Sequence, residues 1–206
     1  CQAATFIGVE TTFCGDEFPF IVQNRTMAGQ FSAHVMTSII SGFIISFPYI
    51  LYEFWKFISP GLLEKEKAKS RGFIFVSSML FFIGVLFGYY IISPLSINFL
   101  GTYQVSSQVL NEIDLGSFIS LVRSSAIASG IIFELPIIIY FLTKAGVVTP
   151  ESLVKYRKYA LVLVLVLAAI ITPPDVASQI IVAIPIVVLY QVSIFISRIV
   201  VKNQAK

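Results

Sequence analysis

The sequence predicts an all-α membrane protein, a polytopic helix bundle, and three observations carry that reading. Of 206 residues, 57% are hydrophobic and 12% charged, with a mean hydropathy of +0.90, whereas a soluble domain is about one-quarter charged. Several apolar runs are long enough to cross a hydrocarbon core ~30 Å thick at ~1.5 Å per helical residue. Lys and Arg are confined almost entirely to alternate connections between those runs. The chain divides into a polar segment, residues 1–30, a membrane bundle over 31–197 and a tail over 198–206. No internal repeat or low-complexity tract points to a second unit.

Residues 1–30 form a polar stretch rich in Thr, Gly and acids, with no basic region before the first apolar run. Because residue 1 is Cys, the expectation is a chain that lacks its true beginning. Cys1 and Cys14 would be bridged in an oxidising compartment and free thiols otherwise. Asn24-Arg25-Thr26 matches a glycosylation sequon, which carries no weight without a secretory context.

The first span runs from Phe31 to about Phe57. Pro48 is expected to kink it by removing one backbone bond. His34 has no second ligand at metal spacing and reads as interfacial, while Glu53, Trp55 and Lys56 mark the headgroup level at the other end. A charged connection, Ser59 to Arg71, follows; by itself it reads as a solvated positive loop. The second span covers Gly72 to Leu95, where Gly84 and Gly88 offer a small-residue face for close helix approach and Pro94 closes the run. Residues 98–116 are polar, with acids and no base.

The third span, Ser117 to Leu142, carries Arg123 near its start and Glu134 near its middle. Arg123 can snorkel to the headgroups. Glu134 has a shorter stem and lies ~16 Å further along; an acid at that depth costs several kcal/mol and is kept where it faces other helices, water or a ligand. Pro136 deprives the Ile132 carbonyl of its helical donor, so that oxygen needs another partner. After a polar connection in which Thr149-Pro150-Glu151 signals a helix start, two short runs, Ala160 to Ile171 and Ile180 to Ile196, flank Thr172-Pro-Pro-Asp175-Val-Ala-Ser-Gln179. Runs of this length also suit cores of soluble proteins, but after three full spans a short hairpin that thins the bilayer is the better reading. The expectation is five spans, three long and the last two short.

Twelve of the 14 Lys and Arg then fall on one side of the membrane, leaving Arg25 and Arg123. The positive-inside rule makes that side cytoplasmic, with the C-terminus inside and the Pro-Pro hairpin turn outside. The chain holds no His-Glu-x-x-His, no phosphate-binding Gly-x-x-x-x-Gly-Lys and no Gly-x-Ser-x-Gly. Glu134 has no second acid at its depth for aspartyl chemistry. Enzymatic activity, metal, cofactor and nucleic-acid binding are therefore not expected, and a transporter or a membrane-embedded binding scaffold is.

Trp55-Lys-Phe57-Ile-Ser-Pro60-Gly61-Leu with Glu66, Phe81-x-x-Gly84-x-x-Phe87-x-Tyr89 before Pro94, and Phe133-Glu134-Leu-Pro136 follow one another in the chain. Gly146-x-x-Thr149-Pro-Glu, Arg157-Lys-Tyr159 and Thr172-Pro173-Pro174-Asp175-x-x-Ser178-Gln179 come after them. In this order the motifs resemble the TatC family, the multispanning receptor subunit of the twin-arginine protein translocase, from about residue 27 to 200. The five spans would correspond to spans 2 to 6 of that six-span family, whose first span and Phe-x-x-His-Leu-x-Glu-Leu-Arg segment this chain lacks.

The resemblance implies a bacterial inner-membrane protein that recognises twin-arginine signal peptides of folded precursors at the cytoplasmic face and nucleates the export complex. Glu66, Phe57, Pro60 and Trp55 would contact the signal, and a carboxylate suits that role because it accepts a bidentate pair from guanidinium. Glu134 and Pro136 would dock a partner helix, and Pro173, Pro174, Asp175 and Gln179 would form the extracytoplasmic hairpin motif. Implied partners are single-span subunits of the TatA/TatB type, the precursors, lipid, and further copies of the chain in a receptor homo-oligomer. The competing reading is a secondary transporter or ion channel with Glu134 as proton or cation site, although no inverted repeat supports it; a purely structural subunit is a third.

Overall fold

In hydrocarbon a backbone must satisfy its own hydrogen bonds, which leaves the helix as the form these apolar runs can take. The computed structural model describes residues 20–58, 70–104, 106, 111–171 and 176–204. Helix α1 (Gly29–Ile58) is followed by α2 (Ser70–Phe87), a π-helical turn (Gly88–Ile92) and α3 (Ser93–Thr102). Then come α4 (Leu115–Phe133), α5 (Leu135–Lys144), the short α6 (Pro150–Lys155), α7 (Arg157–Ile171) and α8 (Val176–Gln204). Among the described residues, four stretches are long and apolar enough to cross a membrane: Gly29–Phe57, Ile74–Thr102, Leu115–Lys144 and Gln179–Lys202.

Two expectations are corrected. Pro94 does not close the second span. The π-helical turn absorbs its missing donor, with the Ser93 N–H and Oγ both bonding to the Gly88 carbonyl, and the helix resumes to Thr102 with Pro94 in the first turn of α3, where no N–H is needed. Of the last two helices, α7 is short at 15 residues, but α8 is not. The apolar run Ile180 to Ile196 is only the middle of a 29-residue helix, because Arg and Lys are good helix formers and carry it past Arg198 and Lys202. Pro48 lies within an unbroken α1.

The connection from α5 to α6 follows its sequence signals. Gly146, at φ 74°, closes α5: its N–H donates to the Thr143 carbonyl and that of Val147 to the Leu142 carbonyl, a left-handed cap that only Gly adopts freely. Thr149 and Ser152 then cap α6 reciprocally, each side-chain oxygen accepting the other's N–H, with Pro150 in the first turn.

Small residues let α2 and α4 approach closely, as expected of Gly84 and Gly88. A Cβ at Gly88 would lie 2.5 Å from the Ser125 carbonyl oxygen, and one at Gly84 would lie 2.8 Å from Phe133. From the facing helix, Gly130 admits the fully buried Phe81, whose other face stacks on Phe47 of α1 at 3.6 Å between centroids. A second seam joins α5 to α8, where the buried hydroxyls of Thr143 and Ser197 bond at 2.9 Å.

The two ends of the bundle differ in charge. At one end β1 (Ile21–Gln23) pairs in parallel with β2 (Glu112–Asp114), Arg25 reaches Glu112 at 3.1 Å, and Asp114 caps α4 through the Ser117 N–H. The stretch before α1 and the acidic connection before α4 are therefore at the same end. At the other end Trp55 meets Phe141, the Tyr190 hydroxyl donates to the Leu153 carbonyl, and the Gln191 carboxamide oxygen, turned toward Arg157, accepts from its Nε and Nη2 at 2.9 Å each. Lys56, Lys144, Lys155, Arg157 and Arg198 lie on or beside these elements, so the alternation of charge read from the sequence is a property of the fold.

Candidate functional site

Pro136 and the acid two residues before it create the site together. Pro136 has no N–H to give the Ile132 carbonyl, and here, unlike at Pro48 in α1, the helix is interrupted: α4 ends at Phe133, α5 begins at Leu135, and Glu134 forms the joint. The joint repairs its own backbone: the Glu134 N–H turns to the carbonyls of Ile131 and Ile132, and the Glu134 carbonyl accepts from Ile137 at 2.9 Å and Ile138 at 3.0 Å. The partner expected for the Ile132 carbonyl is thus the backbone of Glu134 itself.

The Glu134 side chain enters the seam between α4 and α2 and is only 8% exposed. Its Oε2 accepts a 2.6 Å hydrogen bond from the Ser77 hydroxyl, and Ser77 is wholly buried. Its Oε1 is buried with no hydrogen-bond partner, as is the hydroxyl of Ser78. One carboxylate oxygen is therefore fixed, while the other keeps acceptor capacity that the chain does not use. Phe133 packs on Phe87 at 5.6 Å, and an apolar crevice of about 480 Å³ lies between α1 and α2, lined by Pro48, Tyr52, Phe75, Ser78, Met79 and Phe82 among others.

Ser77 was not singled out from the sequence. The signal was present as a Ser-Ser pair inside an otherwise apolar run, but nothing in one sequence says which distant helix such a hydroxyl faces. Among the described residues no group of three or more His, Cys, Asp or Glu could hold a metal ion.

The other site residues divide. Trp55, expected at headgroup level, turns inward: it is 7% exposed and its ring lies 5.7 Å from that of Phe141 of α5. Phe57 projects outward at 83% exposure near the end of α1. Pro136 is buried in the joint. Gln179 ties the two arms of the hairpin, its Nε2 donating to the Leu165 carbonyl at 3.1 Å. Glu66, Pro60, Pro173, Pro174 and Asp175, like Cys1 and Cys14, lie outside the described residues.

Comparison with known proteins covers most of the chain. Residues 9–185 match the family model of the Sec-independent protein translocase protein (TatC). The protein of that name from Blattabacterium sp. subsp. Periplaneta americana is 50% identical over 183 residues, 89% of this chain and 69% of the relative. That from Aquifex aeolicus is 42% identical over 173 residues, 82% of this chain and 71% of the relative. Two crystal structures of the twin arginine translocase receptor TatC, one of them in the detergent DDM, superpose with TM-scores of 0.71 and 0.73 at 38% and 36% identity. They align with 88% and 94% of this chain and with 79% and 86% of their own.

Proposed function

The chain belongs to the TatC family and is a multi-pass membrane subunit of the twin-arginine translocase, and on that premise we propose how its two ends and its buried acid divide the work. The basic end faces the cytoplasm, as the positive-inside rule requires, with the C-terminus inside and the bacterial inner membrane as its home. There the connection between α1 and α2 receives the twin-arginine signal of a folded precursor. Glu66 accepts the guanidinium pair, Phe57 and Pro60 shape the adjoining groove for the apolar part of the signal, and Trp55, packed on Phe141, holds the end of α1 in place.

Glu134 and Pro136 form the docking point for a helix of a single-span partner of the TatA/TatB type, and several copies of the chain assemble in the receptor complex. The observation that carries this reading is the unused Oε1 of Glu134. A buried acceptor without a donor is costly, and a polar side chain on an arriving helix supplies the missing donor. Pro173, Pro174, Asp175 and Gln179 belong to the opposite, extracytoplasmic end. The chain itself performs no catalysis, and the energy for export, the proton gradient in this family, enters from outside its own chemistry. No observation favours the transporter reading.

The test is crosslinking of a photoreactive twin-arginine signal peptide to the membrane-inserted protein. Glu66→Gln is expected to abolish crosslinking without loss of insertion, and a twin-lysine peptide is expected to crosslink weakly to the unaltered protein. Retained crosslinking in the Gln variant would remove Glu66 from the site. Uptake of a small solute by proteoliposomes, with no peptide binding, would replace the whole reading by the transporter one.

A further inference from the structure

At the end of the bundle opposite the basic connections, α1 and α4 part around a cavity of about 450 Å³. Thr26, Ser32 and Met36 line one side, and Gly116, Ser120 and Arg123 the other. Arg123 borders this cavity, and its Nη1, closed off from solvent, has no hydrogen-bond partner. A desolvated guanidinium N–H that finds no acceptor is a standing cost. Among the described residues the acids at this end are occupied elsewhere: Glu112 pairs with Arg25, and Asp114 accepts from the backbone N–H groups of Arg25 and Ser117. Among the described residues the lining holds a cation and three hydroxyl-bearing side chains and no carboxylate.

Position narrows the ligand. The span Leu115–Lys144 has 30 residues, a length of ~45 Å that matches a bilayer with its headgroups. Arg123 lies ~12 Å into it, and helical side chains point back toward the N-terminus, which brings the guanidinium to the boundary between headgroups and hydrocarbon. The first turn of α1, at Gly29, also borders the cavity and adds the positive potential of a helix N-terminus, whereas that of α4 is already met by the Asp114 carboxylate. From Ser32 a stripe of Met36, Ile39 and Phe43, at helical spacing and exposed, runs along α1 away from the cavity. An anion that sits at Arg123 and continues into an apolar tail fits both parts.

We propose that this cavity binds the phosphodiester of a glycerophospholipid, with Arg123 as its charged donor, Thr26, Ser32 and Ser120 as hydroxyl partners, and the Met36–Ile39–Phe43 stripe under an acyl chain. A lipid with a net negative headgroup is preferred, because a choline would bring a second cation toward Arg123. Free phosphate shares the anion chemistry but makes no use of the stripe.

The experiment is native mass spectrometry of the full chain released from nanodiscs of phosphatidylglycerol or phosphatidylcholine. The expected result is retention of phosphatidylglycerol in preference to phosphatidylcholine, weakened about tenfold or more in Arg123→Gln, the scale of one lost charge-assisted hydrogen bond, and partly restored in Arg123→Lys. Ser120→Leu, which fills the cavity and leaves the charge in place, is expected to lose the lipid as well, so the result does not depend on one variant folding. Equal retention by the unaltered protein and Ser120→Leu would overturn the proposal. Release of the lipid by inorganic phosphate would overturn the choice of lipid.

Discussion

Ser77 of α2 donates a 2.6 Å hydrogen bond to Oε2 of Glu134 at the joint of α4 and α5, tying two spans 57 residues apart in sequence. The bond fixes one carboxylate oxygen and leaves Oε1 as a buried acceptor. Glu134→Gln keeps an oxygen for Ser77 and nearly the same volume, whereas Glu134→Ala removes both. Both variants are expected to weaken copurification of single-span partners or export of a precursor, the Ala variant more. The isolated chain should lose only the stability of an interhelical bond in a membrane, about 1 kcal/mol. Unchanged export together with unchanged copurification would count against a docking role.

The close approach of α2 and α4 makes a steric prediction. At Gly88 a Cβ would lie 2.5 Å from the Ser125 carbonyl oxygen and 2.7 Å from the Ala126 Cα, all backbone atoms that cannot swing aside, whereas at Gly42 nothing lies within 4 Å. Gly88→Ala is therefore expected to force the helices apart at a cost of about 1–3 kcal/mol or more. Gly42→Ala should be neutral or slightly stabilising through helix propensity. Thermal unfolding in detergent, read by tryptophan fluorescence at the buried Trp55, separates the two. Equal melting temperatures would show that the seam yields more easily than its geometry implies.

These two cases show what the sequence could and could not disclose. Glu134, Pro136 and the Gly84/Gly88 face were legible because each is a local anomaly, an acid, a missing donor or a missing side chain in an apolar helix, whose physical cost demands an explanation. Ser77 was not, since a serine costs little in a membrane helix and its importance comes from a partner 57 residues away. The β1–β2 pairing was invisible for the same reason: three-residue strands carry no periodicity, and their register depends on how α1 and α4 bring them together. The full length of α8 was missed because hydropathy marks where a helix is apolar, not where it stops. Arg123 was read as a residue able to snorkel, but a single sequence cannot show that it borders a cavity.

The seam between α5 and α8 tests whether its polar contact stabilises the bundle or only avoids a loss. Thr143 and Ser197 are both buried, and their hydroxyls bond at 2.9 Å. Removing one hydroxyl strands the other away from water, at about 1 kcal/mol or somewhat more, whereas replacing both by apolar groups of similar shape removes the demand along with the bond. Ser197, like the neighbouring Ser193 that bonds to the Leu189 carbonyl, has one further recourse, the carbonyl a turn behind it. Thr143→Val and Ser197→Ala are thus each expected to lower the melting temperature in detergent, Thr143→Val the more if Ser197 fails to find that carbonyl. The double variant should melt close to the unaltered protein. In a double-mutant cycle the two changes would then be strongly non-additive. An additive cycle would mean that the hydroxyls act separately, each through its own helix, and that α5 and α8 are held by packing alone.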